Sequence, residues 1–408
     1  MDYDVIVVGG GASGLVAAIT AAREGAKVTL IEQKDRVGKK ILSTGNGRCN
    51  LTNEYMDISC FRGDDLTIVE EVLKQFDHIK TITFFEELGV MLHDRKGYVY
   101  PISDQASTIL DVLRMELDRQ KVRVLLSMSV SNVRKTAKGF EVKTTGETIH
   151  GDAVILATGG KAAKVLGSDG SGYTLAKSVG HHISPVVPAL VQLIGKSNNL
   201  KQVEGVRTRG RVSIYVDHKF ASTDEGELQL TDYGISGIPV FQVSRFAAKA
   251  LYEKKRVTAE LDFLPHMNEQ ELMEFIDYRL KKHGEKTAES FLIGMFHKKL
   301  GMFLLKTAGI SLAEKASVVP KETWLRFVKV CKAYRMEIVD TKGFDSAQIC
   351  AGGVKTTEID CKTMESLCMS GLYLTGELMD VDGICGGYNL QWAWSTGFIA
   401  GTNAAKGK

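Results

Sequence analysis

The stretch YDVIVVGGGASGLVAAITAAREGAKVTLIEQ, residues 3–33, constrains this chain more than any other. Residues 3–8 are a short run rich in β-branched side chains and closed by glycine, the pattern of a buried parallel strand. Gly9, Gly11 and Gly14 then spell G-x-G-x-x-G. In that motif the first glycine makes the turn, the second lets a pyrophosphate approach the backbone, and the third lets helix pack on strand. Residues 14–24 are rich in alanine and read as a helix whose free N–H groups face the phosphates. KVTLIE returns as a second strand ending at Glu32, where a carboxylate accepts hydrogen bonds from an adenosine ribose. A carboxylate there disfavours a 2′-phosphate, so the expected ligand is NAD or FAD rather than NADP.

The residues after Glu32 separate these two. A simple NAD dehydrogenase continues with further strand–helix units, whereas this chain gives QKDRVGKKILSTGNGRCNLTN, a loop of glycines, amides and cations suited to a long, bent, partly anionic cofactor. Strand-like pieces at 122–126, 129–134, 140–144 and 148–150 suggest a small meander, followed by AVILATGG (153–160), a buried strand running into Gly159 and Gly160, with Ala157, Thr158 and Gly159 expected against the cofactor. Near the other end, GLYLTGELMDVDGICGGYNLQWAWSTGFIAG (371–401) reads as strand, acidic glycine turn and a helix rich in small residues. The start of such a helix can face the flavin N1–C2=O edge, where charge builds on reduction. Glu377 or Asp380 is placed to hold ribityl hydroxyls, so the cofactor domain is expected to be discontinuous.

GGGASG, GKK…STGNGRCNLTN, ATGG, LTDYGISGIPV, AQICAGGV and TGELMDVDGICGGYNLQWAWSTG together resemble the YhiN/BaiN-like flavoproteins, a family also named after aminoacetone oxidase. The resemblance runs from residue 5 to about 401. It implies non-covalent FAD on a Rossmann-like, two-dinucleotide-type α/β domain, interrupted by a β-barrel-like domain and a small helical domain. The boundaries expected are 1–190 with 346–408 for the FAD domain, 191–265 with 333–345 for the barrel, and 266–332 for the helices. By resemblance, Gly11, Ser13, Gly14 and Glu32 contact the ADP half, and Lys40, Gly45, Asn46, Arg48, Cys49 and Asn50 line the cofactor's path. Val130 meets the adenine through its backbone, while Gly376, Glu377, Gly386, Gly387, Tyr388, Asn389 and Gln391 surround the ribityl chain and ring. One departure stands out: the family's G-[IL]-S-G-P has Ile238 inserted before Pro239.

Cys49 sits where a flavin disulfide reductase keeps a redox cysteine, yet the position five residues on is Glu54, and the next cysteine is Cys60. Without a C-x-x-x-x-C pair to carry electrons, Cys49 reads as a packing residue near the cofactor. The seven cysteines (49, 60, 331, 350, 361, 368, 385) are odd in number and contain no C-x-x-C. That argues for a reducing, cytoplasmic setting and against a disulfide framework or structural zinc. No His/Asp/Glu grouping has metal-ligand spacing in sequence, so no metal is expected. His93 reads as a solvent-facing loop residue, Ser103 as the cap of the following helix, and His181 and His182 as cations favoured at a helix end. The apolar stripe at 272, 275, 276 and 280 reads as core.

A formal charge of +3 over 408 residues, with no long basic run, disfavours nucleic-acid binding, and no apolar run has transmembrane length. Only Met1 and Asp2 precede the first strand, so no signal peptide is expected. The reaction expected is hydride transfer between NADH or NADPH, bound transiently, and a small organic substrate through flavin N5. The resemblance suggests a conjugated 3-oxo steroid or bile acid, with Tyr388 or Tyr233 as candidate proton donors. An aminoketone oxidase using oxygen is the alternative; a flavin redox sensor and a tRNA-modifying enzyme rank behind it. The oligomeric state is not legible.

Overall fold

The computed structural model describes residues 2–196 and 198–406. The chain divides into two compact units, Met1–Pro188 with Gln348–Lys408, and Ala189–Ala347.

The first unit is built on a parallel sheet. Its spatial order is Arg123–Leu125, Val28–Ile31, Asp2–Val8 and Thr148–Leu156. Val5, Ile6 and Val7 of the central strand have no exposed surface, because both faces of the sheet are covered. The nine-residue strand Thr148–Leu156 has two neighbours on its far side. Its first half pairs antiparallel with Gly139–Thr144, opening a meander that ends at Val130–Thr136. Its second half takes Leu372–Leu374 in parallel, and this joins the C-terminal segment to the sheet.

Two sequence expectations change here. The pieces 148–150 and 153–160 belong to one strand as far as Leu156, since Gly151 lets the chain pass close to Tyr3 without a break. The piece at 122–126 leaves the meander and becomes the parallel edge strand beside Val28–Ile31. The amphipathic helix Ala106–Arg119 before it supplies the crossover that a parallel pairing needs. That helix begins after Gln105 without a side-chain cap; Ser103 instead accepts from Gln105 N and bonds Thr108.

Helix Ala12–Arg23 follows the glycine turn and is buried continuously from Ser13 to Ala21. On one side lies the sheet, and on another the C-terminal helix Tyr388–Lys406. The two helices touch backbone to backbone: a Cβ on Gly397 would stand 2.3 Å from Ser13 O, and one on Gly401 2.4 Å from Ala17 O.

The second unit holds a closed barrel of six strands in the order Leu193–Gly195, Gly234–Ser236, Lys219–Leu230, Arg207–Val216, Val257–Asp262 and Tyr334–Thr341. Helix Ile238–Tyr252 packs on it. Between the last two strands run the helices Glu269–His283, Ala288–Phe291, Lys298–Ala308 and Lys321–Lys332, around a core that includes Trp324, Phe327 and Phe291. Of the anticipated stripe, Leu272 and Ile276 are buried, whereas Phe275 is 38% exposed and Met273 takes its place in the core. The inserted Ile238 is the first residue of its helix and is exposed, which leaves Pro239 in the first turn, where its missing N–H costs no hydrogen bond. A Rossmann-like sheet with an inserted barrel and helical segment is the architecture expected from sequence. Among the described residues no helix is long and apolar enough to cross a membrane.

Candidate functional site

The glycine turn sets the geometry. Gly9 has φ +105° and approaches Ala157 so closely that a Cβ would stand 2.5 Å from its carbonyl oxygen. Gly14 is as constrained, since its Cβ would collide with Gly9 O. Gly11 is the contrast: a Cβ there would meet nothing within 4 Å. Space therefore opens in front of a helix start that has no side-chain cap and no acid in its first turn. The N–H groups there are left to an anion.

Glu32 lies at the edge of this opening and is buried. One carboxylate oxygen accepts from Gly10 N and the other from Lys34 N, both at 2.8 Å. Burial raises its pKa, against the pull of those backbone donors. Each oxygen keeps a second lone pair, so the carboxylate remains able to receive a hydroxyl. Val130 stands where the meander's register shifts between Val130 and Asn132.

The loop after Glu32 joins the two ends of the chain. Lys40 Nζ lies 2.7 Å from Glu377 Oε2, and Glu377 Oε1 accepts from Cys350 N at 2.8 Å. Gly45 and Asn46 both have φ 56° and, with Arg48, form an exposed rim. From Cys49 the chain turns inward. Leu51 O accepts from Trp394 Nε1, Thr52 Oγ1 donates to Gln391, and Asn53 Nδ2 donates to Gly386 O. Asn50 is buried beside this seam, and its Oδ1 has no hydrogen-bond partner among the described residues.

The other expected positions fall into two groups. Gly376 packs on Ser13 and Glu377 pairs with Lys40; Gly386 and Gly387, at φ 134° and 95°, open the C-terminal helix. Ala157, Thr158 and Gly159 line the strand end opposite Gly9. Other residues are taken up by internal contacts. Ser13 bonds Thr375, the Asn389 amide bonds both backbone groups of Gly383, and Asp380 is buried. Gln391 and Cys49 have no exposed surface and hold loop and helix together from inside. Burial pushes the Cys49 thiol up to about 12, so it is protonated and inert at neutral pH.

Tyr388 is buried edge-on against Phe61. Burial raises the pKa of its hydroxyl, and the neighbouring Cys60 thiol adds to the rise. Tyr233, the other candidate donor, lies in the second unit with Lys342 Nζ 4.2 Å above its ring. Composition alone did not reveal a group around Gly160: Tyr173 Oη, Glu377 Oε1 and Cys350 Sγ crowd the position its Cβ would take. Burial raises the Tyr173 hydroxyl and pushes the Cys350 thiol up to about 12. Only the A-T-G-G run hinted that backbone would be approached closely there.

Two histidine expectations are corrected. His93 belongs to the strand Leu92–Arg95, with Nε2 3.4 Å from Asp104, rather than to a solvent loop. His181 is buried, and desolvation lowers its pKa, so it is a neutral acceptor and donor and not a helix-end cation. It also meets Glu358 and Cys368 in a group of metal-ligand type, invisible in sequence because its members lie far apart along the chain.

The family model described as the HI0933-like protein Rossmann domain matches residues 3–403. The chain is 51% identical to a 3-dehydro-bile acid delta(4,6)-reductase of Clostridium scindens, over 98% of both proteins. It is 28% identical to a ribosomal RNA dihydrouridine synthase of Escherichia coli K12, over 97% of this chain and 96% of that protein. Among solved structures, a 3-ketosteroid delta1-dehydrogenase of Sterolibacterium denitrificans superposes with a TM-score of 0.51 at 14% identity, covering all of both chains; at that identity the likeness is one of fold. With the open, uncapped helix start, the buried Glu32 carboxylate and the paired chain ends, these matches place the chain in the HI0933-like family of Rossmann-fold, FAD-dependent oxidoreductases.

Proposed function

We propose that this oxidoreductase uses NADH or NADPH to saturate a C=C conjugated with the 3-oxo group of a steroid or bile-acid-like substrate. The carrying observation is the 51% identity to a delta(4,6)-reductase along 98% of both chains. The residues present fit FAD: an uncapped helix start faces open space at Gly11, and the buried Asn50 Oδ1 lacks a partner that a cofactor group can supply. The chemistry FAD supplies when bound is two-electron transfer at N5, hydride in from a nicotinamide and hydride out to the acceptor.

The chain's own part is binding and orientation. Backbone N–H groups at Ala12–Gly14 hold the pyrophosphate, and Glu32 takes the ribose hydroxyls. The Lys40–Glu377 pair fixes the loop against the C-terminal segment, and the positive end of the dipole of helix Tyr388–Lys406 would favour negative charge on a flavin held before it. Tyr388 belongs to this framework, because its ring is buried edge-on against Phe61.

A second reading has a specific basis. Saturating Δ4,6 of a 3-dehydro bile acid and forming dihydrouridine both reduce a C=C conjugated with a carbonyl, so the 28% identity over nearly the full length keeps an RNA substrate in view. The charge pattern favours the small molecule. The exposed arginines of the barrel ribbon, Arg207, Arg209 and Arg211, face Glu227 and Glu225 across the strands at 3.1–3.5 Å, so they offer little net charge to phosphates.

The test is an anaerobic titration of the yellow holoprotein with NADH and NADPH, then addition of a 3-oxo-4,6-diene bile acid. Bleaching by nicotinamide and recovery of colour with the dienone are expected. Bleaching by an aminoketone and not by nicotinamide would replace this reading with the amine oxidase. Recovery only with uridine-containing RNA would replace it with RNA reduction.

A further inference from the structure

Helix Ser171–Ser178 is followed by a left-handed Gly180 and then by His181 and His182. Both histidines turn toward the loop that leads into the strand Leu372–Leu374. His181 Nδ1 lies 3.0 Å from Glu358 Oε2 and 3.8 Å from Cys368 Sγ. All three ligand atoms fall within 4.8 Å of one another. His182 Nδ1 stands 2.6 Å from Glu358 Oε1.

We propose that His181, Glu358 and Cys368 form a zinc site, completed by water or by His182. Bonds of about 2.0–2.1 Å to nitrogen and oxygen and about 2.3 Å to sulfur, at tetrahedral angles, separate ligand atoms by roughly 3.3–3.6 Å. The two separations measured from His181 Nδ1 lie within a few tenths of an ångström of that range. Imidazole, carboxylate and thiolate are a zinc donor set and a poor one for calcium or magnesium. The outer contacts fit as well: Ser366 Oγ is 2.8 Å from His181 Nε2, the ring nitrogen facing away from the ligands, and orients the imidazole. Cys368 is exposed, so an ion reaches the site directly from solvent. Zinc binding displaces the thiol proton to solvent and leaves every oxidation state unchanged. The ion would clasp the segment after the 171–178 helix to the loop that delivers Leu372–Leu374 to the sheet.

The test loads the FAD-bound protein, stripped with chelator and dialysed, with one equivalent of Co(II), followed by visible spectroscopy beyond the flavin absorption. Zinc competition and metal analysis of the untreated protein accompany it. Tetrahedral cobalt bands that zinc bleaches, with near one zinc per chain, are expected. Cys368→Ser, a change at an exposed position, should abolish the thiolate-dependent spectrum while flavin content stays the same. Ser366→Ala should weaken zinc by roughly 10–100-fold. Absence of tetrahedral bands in the parent overturns the proposal. So does an unchanged spectrum in Cys368→Ser, which would put the cobalt elsewhere.

Discussion

Replacing Gly397 by alanine isolates the contact that joins the two ends of the cofactor domain. The new methyl would stand 2.3 Å from Ser13 O, where ordinary contact begins near 3.4 Å. The helices must therefore separate by about 1 Å at that point. The obstacle is backbone, so no rotamer change relieves it. Overpacking of this kind costs about 1–3 kcal/mol, and a backbone clash belongs at the upper end. Alanine recovers about 1 kcal/mol through helix propensity, which leaves a net loss of about 2 kcal/mol. For a domain of ~150–250 residues that lowers the melting temperature by roughly 4–8 °C. Differential scanning fluorimetry of the holoprotein, with released FAD read by its fluorescence, is the assay. Gly301 supplies the control: it lies inside helix Lys298–Ala308, and an added methyl would meet Leu292 at an ordinary 3.5 Å. Gly301→Ala should be neutral or stabilising by up to about 1 kcal/mol. If the two variants melt alike, close packing of the 12–23 and 388–406 helices is not what holds this domain together.

Other perturbations have equally definite signs. Cys49→Ala should retain FAD and turnover within about threefold, since a buried protonated thiol carries no electrons; a hundredfold loss with FAD still bound would restore Cys49 as a redox group. Glu377→Gln should weaken FAD retention, measured by equilibrium dialysis, because it removes the charge opposite Lys40. Unchanged affinity would detach the pair from the cofactor. Glu116, held at about 2 by Arg119, Gln120 and Arg23 and nearly unexposed, contributes about 3 kcal/mol at neutral pH. Its folded pKa is depressed, so that stability is present above about 4.5 and disappears as pH falls toward 2. Glu116→Gln should flatten the acid slope of urea stability in that window. Tyr388→Phe should leave flavin reduction by nicotinamide within a few fold, and a large loss in stopped-flow rate with FAD retained would return its hydroxyl to the chemistry.

Much of the cofactor side was legible because its signals are local. A glycine needed at φ +105° for a turn, a helix start left without a cap, and an acid ending the next strand all fall within thirty residues. The sheet was legible for the same reason, except where pairing depended on a distant neighbour. Nothing in residues 122–126 says whether they continue a meander or join a parallel edge. The helix before them decides it.

Contacts assembled across the chain were not legible. Asn389 and Gln391 look like polar ligands of a flavin in sequence, yet the first closes a turn at Gly383 and the second bonds Thr52, Ser395 and Phe76 O. The bias runs one way. Gln391 looks available in a helix rich in small side chains because two of its partners, Thr52 and Phe76, lie more than three hundred positions away, while Asn389 looks available because nothing in sequence shows that the turn at Gly383 folds back onto it. His181 shows the reverse: a residue that reads as a surface cation is buried against Glu358 and Ser366. Phosphate binding by backbone depends on turn geometry, which sequence encodes nearby. Substrate recognition and metal binding depend on side chains brought together by the completed fold.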